Sequence, residues 1–327
     1  MLVATPSIAA CYSSWVPRMS TLADKRFVLV TGKGGVGKTT VCAAEALALA
    51  AKGKRVLVAM CNSKERLSAM LGVPPVGADV VRVADGAGQG GVWAVNMLPE
   101  RAIEEYGTLV LHSRALYKTL FDNRYVRTFL RAVPGMQEWS MLGKAWWHTT
   151  ERLPDGSSRF DLVILDAPAT GHGLDMLRVP KVILDVVPPG ILRRDAERAW
   201  ALFQDDKTCA IVLVTLPEEM PTTETIELAR ALRELGLPIG RVVVNCVLPP
   251  LFSKEERAAL LAATPNGTAD AGEAAIAAAR DRSTRERVQA ESLNRLSREL
   301  PVPPAFLPLL MQDAANPESI AQLAKRV

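Results

Sequence analysis

Short apolar runs recur along the chain: "RFVLVT" (26–31), "RVLVAM" (55–60), "VWAVNM" (92–97), "FDLVILD" (160–166), "AIVLVTL" (210–216), "GRVVVNCV" (240–247) and "PPAFLPLL" (303–310). They are rich in β-branched residues. Most lack the strict alternation of a half-exposed strand, so they are expected to be central strands covered on both faces. Segments with helical spacing separate them. Strands alternating with helices predict an α/β fold with a doubly wound, mostly parallel sheet.

One interval breaks the rhythm. From about 98 to 152 the pattern stays helical through "AIEEYGTLVLHSRALYKTLF" and "MQEWSMLGKAWWHTT", which predicts a helical insertion on one face of the sheet. Further on, 270–300 reads as a loop and a long charged helix, and "NPESIAQLAKRV" as a short closing helix capped at Asn316 or Ser319. "DGAGQGG" (85–91) and "TPNGTADAG" (264–272) read as loops. Residues 1–25 are expected to be a flexible extension ahead of a single domain, 26–327, with Met19 as an alternative start.

Composition narrows the classes. A chain of 327 residues, 49% of them hydrophobic, can bury a large core. The 39 basic and 35 acidic residues leave a net charge of +4 with no long single-sign run, which argues against a nucleic-acid partner. Cys11, Cys42, Cys61, Cys209 and Cys246 lie far apart with no CxxC pair, as expected for free thiols in a reducing cytoplasm. No uncharged apolar run approaches the roughly 20 residues that span a bilayer, so a cytoplasmic protein without an integral membrane segment is expected.

The sharpest chemical signal is "TGKGGVGKTT" (31–40), between the first apolar run and a helical segment. Gly32, Gly37, Lys38 and Thr39 satisfy G-x-x-x-x-G-K-[ST], and strand before with helix after is the setting this motif needs. Glycines let the backbone curl until amide hydrogens of Gly34, Gly35, Val36, Gly37, Lys38 and Thr39 point at phosphate oxygens, with the helix N-terminus behind them. Lys38 supplies a positive charge to the β- and γ-phosphates, and the Thr39 hydroxyl part of a Mg²⁺ shell. Asp166, ending a buried strand, would meet the same Mg²⁺ through water; a helix-capping aspartate is the plainer alternative. ATP or ADP with Mg²⁺ is the expected ligand.

Lys33, directly after the first glycine, makes the loop "GKGGVGKT" resemble the deviant Walker A loop of a P-loop family. That family includes the arsenite-pump and tail-anchored-protein targeting ATPases. The resemblance implies that Lys33 reaches the nucleotide of another subunit, so that a homodimer, or a heterodimer with a paralogous ATPase, forms part of the cycle. "DAPATGHGL" resembles the family's switch II, carried by Asp166, Pro168, Gly171 and His172, with His172 sensing the γ-phosphate. "VVVNCVLP" and "PLLMQD" resemble its base-binding segments, which implies Asn245 on the adenine edge and Pro308 with the following backbone against the base; Thr40, at the end of the loop, is a further candidate for binding the nucleotide. The match runs from Arg26 to the C-terminus and is loosest over 98–152.

Two departures bear on function. Aligned on Leu67-Ser68, the family's switch I aspartate, usually inside an Asp-Pro-Ala-His run, falls on Asn62. An amide can orient a water but cannot accept its proton, so slow hydrolysis with tight ATP retention is expected unless Glu65 or a partner residue takes over. Where the targeting ATPases carry a CxxC pair this chain reads "AAIAAARDR", so no zinc site is expected. No cysteine lies between Cys61 and Cys209, which argues against an arsenite thiolate site and an iron–sulfur cluster. In the insertion, Met136, Trp139, Met141, Trp146 and Trp147, with Leu109, Leu116, Leu120 and Phe121, either pack onto the sheet or line a groove for a protein client; Arg124, Arg127 and Arg131 favour packing. His112, His148 and His172 are too scattered for a metal site. A hydrolysis-poor scaffold subunit and a DNA-partitioning ATPase are the competing functions.

Overall fold

The computed structural model describes residues 22–61, 64–111, 135–168, 170–262, 271–310 and 315–327. Its organising strand is β1 (Phe27–Thr31), FVLVT, buried at every position. Successive side chains of a strand point to opposite faces, so a strand with no polar position before its end needs cover on both sides. Phe27 and Leu29 enter one core, Val28 and Val30 the other.

The other strands are β2 (Arg55–Cys61), β3 (Val81–Asp85), β4 (Gly91–Met97), β5 (Leu162–Asp166), β6 (Cys209–Thr215), β7 (Ile239–Val247) and β8 (Pro304–Pro308). They form one sheet in the order β3-β4-β2-β5-β1-β6-β7-β8. Every pairing is parallel except that of β3 with β4. The doubly wound α/β sheet expected from the apolar runs is present, with one strand added. β3 buries only Val83 and leaves Val81, Arg82 and Asp85 exposed, so it has no apolar run to betray it. Its guanidinium lies 5.2 Å from the Trp93 ring centroid and pairs with Asp85, which places charge on the sheet's outer strand.

Among the described residues a 3-10 turn, Leu22–Asp24, precedes β1, and the α-helices are α1 (Lys38–Ala51), α2 (Leu67–Leu71), α3 (Pro99–Leu111), α4 (Met136–Thr150), α5 (Thr170–Val186), α6 (Ile191–Gln204), α7 (Glu219–Glu234), α8 (Lys254–Ala262), α9 (Ala271–Glu299) and α10 (Pro317–Ala324). α1 and α10 cover one face, meeting Val28, Val58, Ile164 and Val212. α4, α5, α6 and α7 cover the other, where Trp139, Met176, Phe203 and Leu228 meet Leu29, Val163 and Ile211. The α10 cap is Asn316, whose Oδ1 accepts from Ser319 N at 2.9 Å.

α3 and α4 are the described ends of the expected insertion. Trp139, Met141, Leu142 and Ala145 are buried against the sheet, so this side of α4 packs. Trp146, which also packs on that core, and Trp147 line with Trp139, Tyr106, Gly143 and Ile191 a groove of about 500 Å³. His112, Leu116, Leu120, Phe121, Arg124, Arg127 and Arg131 lie outside the described residues, as does the Leu109 side chain.

Two ion pairs bind this frame. Arg55 donates to Asp161 from its backbone N (2.8 Å), Nε (3.2 Å) and Nη2 (2.8 Å), tying the start of β2 to that of β5. Burial alone would raise the Asp161 pKa, but these bonds outweigh it and hold the carboxyl below the usual range. Arg241 of β7 pairs with Glu45 of α1 in the core, where burial raises the Glu45 pKa and Arg241 opposes it.

Removing one member of a buried pair strands the other's charge. Arg241→Met is therefore expected to cost about 3–5 kcal/mol in urea unfolding, most of it recovered when Glu45→Leu is added. Asp161 titrates lower in the fold than in the unfolded chain, so its contribution is present above the ordinary carboxylate pKa and is lost as pH falls through the lowered one. Urea midpoints of wild type and Asp161→Asn are expected to differ at pH 7 and to converge in acid.

Candidate nucleotide site

The loop from Gly32 to Gly37 joins β1 to α1 at the carboxyl edge of the sheet, where open α/β sheets hold ligands. Two glycines are required by contact. A Cβ on Gly32 (φ 153°) would lie 2.1 Å from the carbonyl oxygen of Val214, on neighbouring β6. One on Gly37 (φ 90°) would lie 2.3 Å from Asn245 Nδ2. Gly34 and Gly35 form the exposed tip, while Val36 and Thr40 turn into the core. Gly37 precedes α1 and offers no side chain to cap it, so first-turn amides stay directed at whatever occupies the loop.

Lys38 Nζ donates to the carbonyls of Gly32 (3.1 Å) and Lys33 (3.0 Å), so the ammonium sits across the loop. Burial lowers its pKa and Asp166 partly counters that. Thr39 Oγ1 donates to Asp166 Oδ2 at 2.6 Å. β5 lies between β1 and β2, with Asp166 in register with Val30 and Met60. This carboxylate is 6% exposed, and burial raises its pKa against the opposing Thr39 bond and Lys38 charge. A hydroxyl and a carboxylate make a hard-oxygen donor set of the kind that, with several waters, suits Mg²⁺.

Asn245 is buried and donates from Nδ2 to the Val36 carbonyl at 3.0 Å, bracing the loop from below. Its neighbour Cys246 has φ 56°, left-handed for a non-glycine residue, where the β7–β8 register shifts between Val244 and Val247. α9 supports the turn beyond: Gln289 brackets the Leu248 backbone (2.8 and 2.9 Å), and buried Glu286 accepts from Leu251 N at 2.9 Å. Pro308 ends β8 in register with Val247. A cavity of about 370 Å³ opens at these strand ends, lined by Pro217, Cys246, Leu248, Leu309 and α9.

Lys33 goes elsewhere. Its ammonium pairs with Glu224, in the second turn of α7. Pro168 follows β5, and Gly171 and His172 fall in the first turn of α5. The His172 side chain and Asn62 lie outside the described residues. Glu65 is committed: its carboxylate accepts from Ser68 N (2.7 Å), Ser68 Oγ (2.6 Å) and Val76 N (3.3 Å), holding the start of α2. His148 also has a local role, with Nδ1 2.6 Å from Oε2 of Glu151 at the C-terminal end of α4. Glu224 escaped the sequence reading because nothing in "TTETIEL" marks it until β6 is known to lie beside β1.

A glycine loop between a central strand and a helix, a lysine across it, and a threonine on a buried strand-end aspartate define a nucleotide-binding protein of the P-loop class. The chain belongs to the family described as anion-transporting ATPase, whose model matches residues 25–188 and 192–261. It is 32% identical to ATPase BagA of Mycobacterium tuberculosis (strain H37Rv) over 271 residues, 83% of this chain and 77% of that protein. Over 243 residues it is 30% identical to a putative arsenical pump-driving ATPase of Halobacterium salinarum, covering 69% of this chain and 36% of that protein. With the arsenical pump-driving ATPase of Escherichia coli the identity is 27% over 239 residues, covering 68% and 40%. The chain thus matches well under half of the length of each of these two pump-driving relatives. Among the described residues, no helix is long and apolar enough to cross a membrane.

Burying a carboxylate with few partners costs stability. Asp166→Asn is expected to leave the ligand-free fold as stable as wild type or up to about 1 kcal/mol more stable, with the gain read by urea unfolding. The same variant is expected to lose the Mg²⁺ enhancement of nucleotide affinity, about 10- to 100-fold by calorimetry.

Proposed function

We propose that this chain is a Mg-ATP-dependent switch ATPase whose loop holds the phosphates of ATP while two subunits close on each other. The observation that carries the reading is the 2.6 Å bond from Thr39 to buried Asp166, directly beside Lys38. It sets a hydroxyl, a carboxylate and an ammonium around the space where β- and γ-phosphates would lie. Lys38 would exchange its two carbonyl partners for phosphate oxygens, and loop amides would donate to the same oxygens. Bound Mg²⁺ would neutralise phosphate charge between Thr39 and Asp166. Asn245 and Pro308 flank the strand ends where the base would sit. Lys33 would serve the nucleotide of the partner, a second copy or a paralogous ATPase. The groove beside Trp146 and Trp147 is the surface on which a protein client would register closure.

The hydrolysis-poor reading has its own support. With Asn62 at the switch I position, Glu65 is the nearest carboxylate in sequence, and it is already engaged by three donors on α2 and the following turn. The chain on its own is therefore read as a slow ATPase that retains its nucleotide, suited to scaffolding a more active partner.

Calorimetry is expected to show Mg-ATP binding by the wild type and roughly 100-fold weaker binding by Lys38→Ala, about 3 kcal/mol. A wild type that ignores ATP overturns the proposal. Steady-state turnover is expected to be slow and to rise at least tenfold in Asn62→Asp; brisk native turnover would refute the hydrolysis-poor reading and leave the ATPase reading standing.

A further inference from the structure

The two lysines of the loop are held in different ways. Lys38 rests on backbone carbonyls of its own loop, whereas Lys33 crosses to a carboxylate on another element, Glu224. Both ends of that crossing are rigidly carried. Lys33 follows Gly32, which abuts the Val214 carbonyl so closely that no side chain fits, and Thr31 stands in register with Leu213 of β6. Glu224 rides on α7, whose early turns are anchored by buried Pro221, Thr222, Thr225 and Ile226. Thr223 next to it accepts from Arg295 of α9 at 2.8 Å, which fixes the helix from its far side. The pair is no accident of two loose surface chains.

We propose that Glu224 is a positioning residue that holds Lys33 within its own subunit until nucleotide phosphates compete for the ammonium. This rests on the reading of Lys33 as a phosphate ligand. Relative strengths make the contact exchangeable. The Lys33 and Glu224 side chains keep 27% and 33% of their exposure, so water screens the pair and a single carboxylate holds the lysine only modestly. A polyphosphate carries several negative charges and takes the same ammonium more strongly at contact distance. A fully buried pair such as Arg241–Glu45 could not be exchanged in this way. Glu224 thus keeps Lys33 on its own subunit while no nucleotide faces it and yields it to the partner's phosphates when two filled subunits close.

The test is a double-mutant cycle on urea unfolding of the full chain with wild type, Lys33→Ala, Glu224→Gln and both, without nucleotide and at saturating Mg-ATP. A coupling worth about a fivefold change in the unfolding equilibrium is expected without nucleotide, and its loss with Mg-ATP. In parallel, Glu224→Gln is expected to lower the Mg-ATP concentration at half-maximal subunit association about fivefold, and to have no effect in the Lys33→Ala background. A structural role for Glu224 would instead destabilise both backgrounds equally. Zero coupling without nucleotide overturns the proposal, as does coupling that persists at saturating Mg-ATP. Calorimetry of the wild type separates these failures from that of the parent reading: no ATP binding at all sinks the nucleotide switch itself.

Discussion

A carboxylate at the end of a central strand is costly, and this architecture is arranged around keeping one there. Asp166 cannot be solvated between β1 and β2, so it needs a donor from the protein or a cation, and Thr39 donates to it at 2.6 Å with the charge of Lys38 beside it. Both come from the first turns of α1, because the loop ahead of them turns the chain back over the carboxyl edge of the sheet. The loop can turn there only because Gly32 accepts the Val214 carbonyl where a Cβ would otherwise stand. Sheet order, loop curvature and helix placement therefore serve one electrostatic requirement.

What the sequence disclosed, and what it hid, follows from the range of each interaction. β1 and β5 are legible as unbroken apolar runs because both faces are covered, and the phosphate loop because glycine spacing is a local demand. The Asn316 cap is legible because it acts over three residues. β3 is hidden because an edge strand answers to water on one side, and Arg82 and Asp85 there look like loop residues. Glu224 and Asn245 meet the loop from 191 and 209 positions away in sequence, and no pattern within either segment announces its partner. Glu65 shows the opposite limit: a carboxylate near the reactive region looks catalytic in sequence, and three hydrogen bonds assign it to the start of α2.

The helices divide the labour between the two faces. α1 and α10 pack against the first core and hold the loop's helix in place. α4 to α7 form the second, and the groove beside Trp146 and Trp147 lies on that side with α6. α7 links them, since it packs in the second core, contacts α9, and presents Glu224 to the loop. A change in charge at the loop thereby acts on a helix that shares its core with the layer carrying the groove.

The brace from Asn245 to Val36 has a further consequence, for the kinetics of ligand capture. Its amide fills the place where a Gly37 side chain would be and fixes the loop backbone from beneath, so the curled shape belongs to the folded chain itself. The conformational entropy of ordering that curl is charged to folding, and an arriving ligand meets amides already aimed. A loop shaped in advance leaves diffusion and charge, rather than loop ordering, to govern the capture of a ligand.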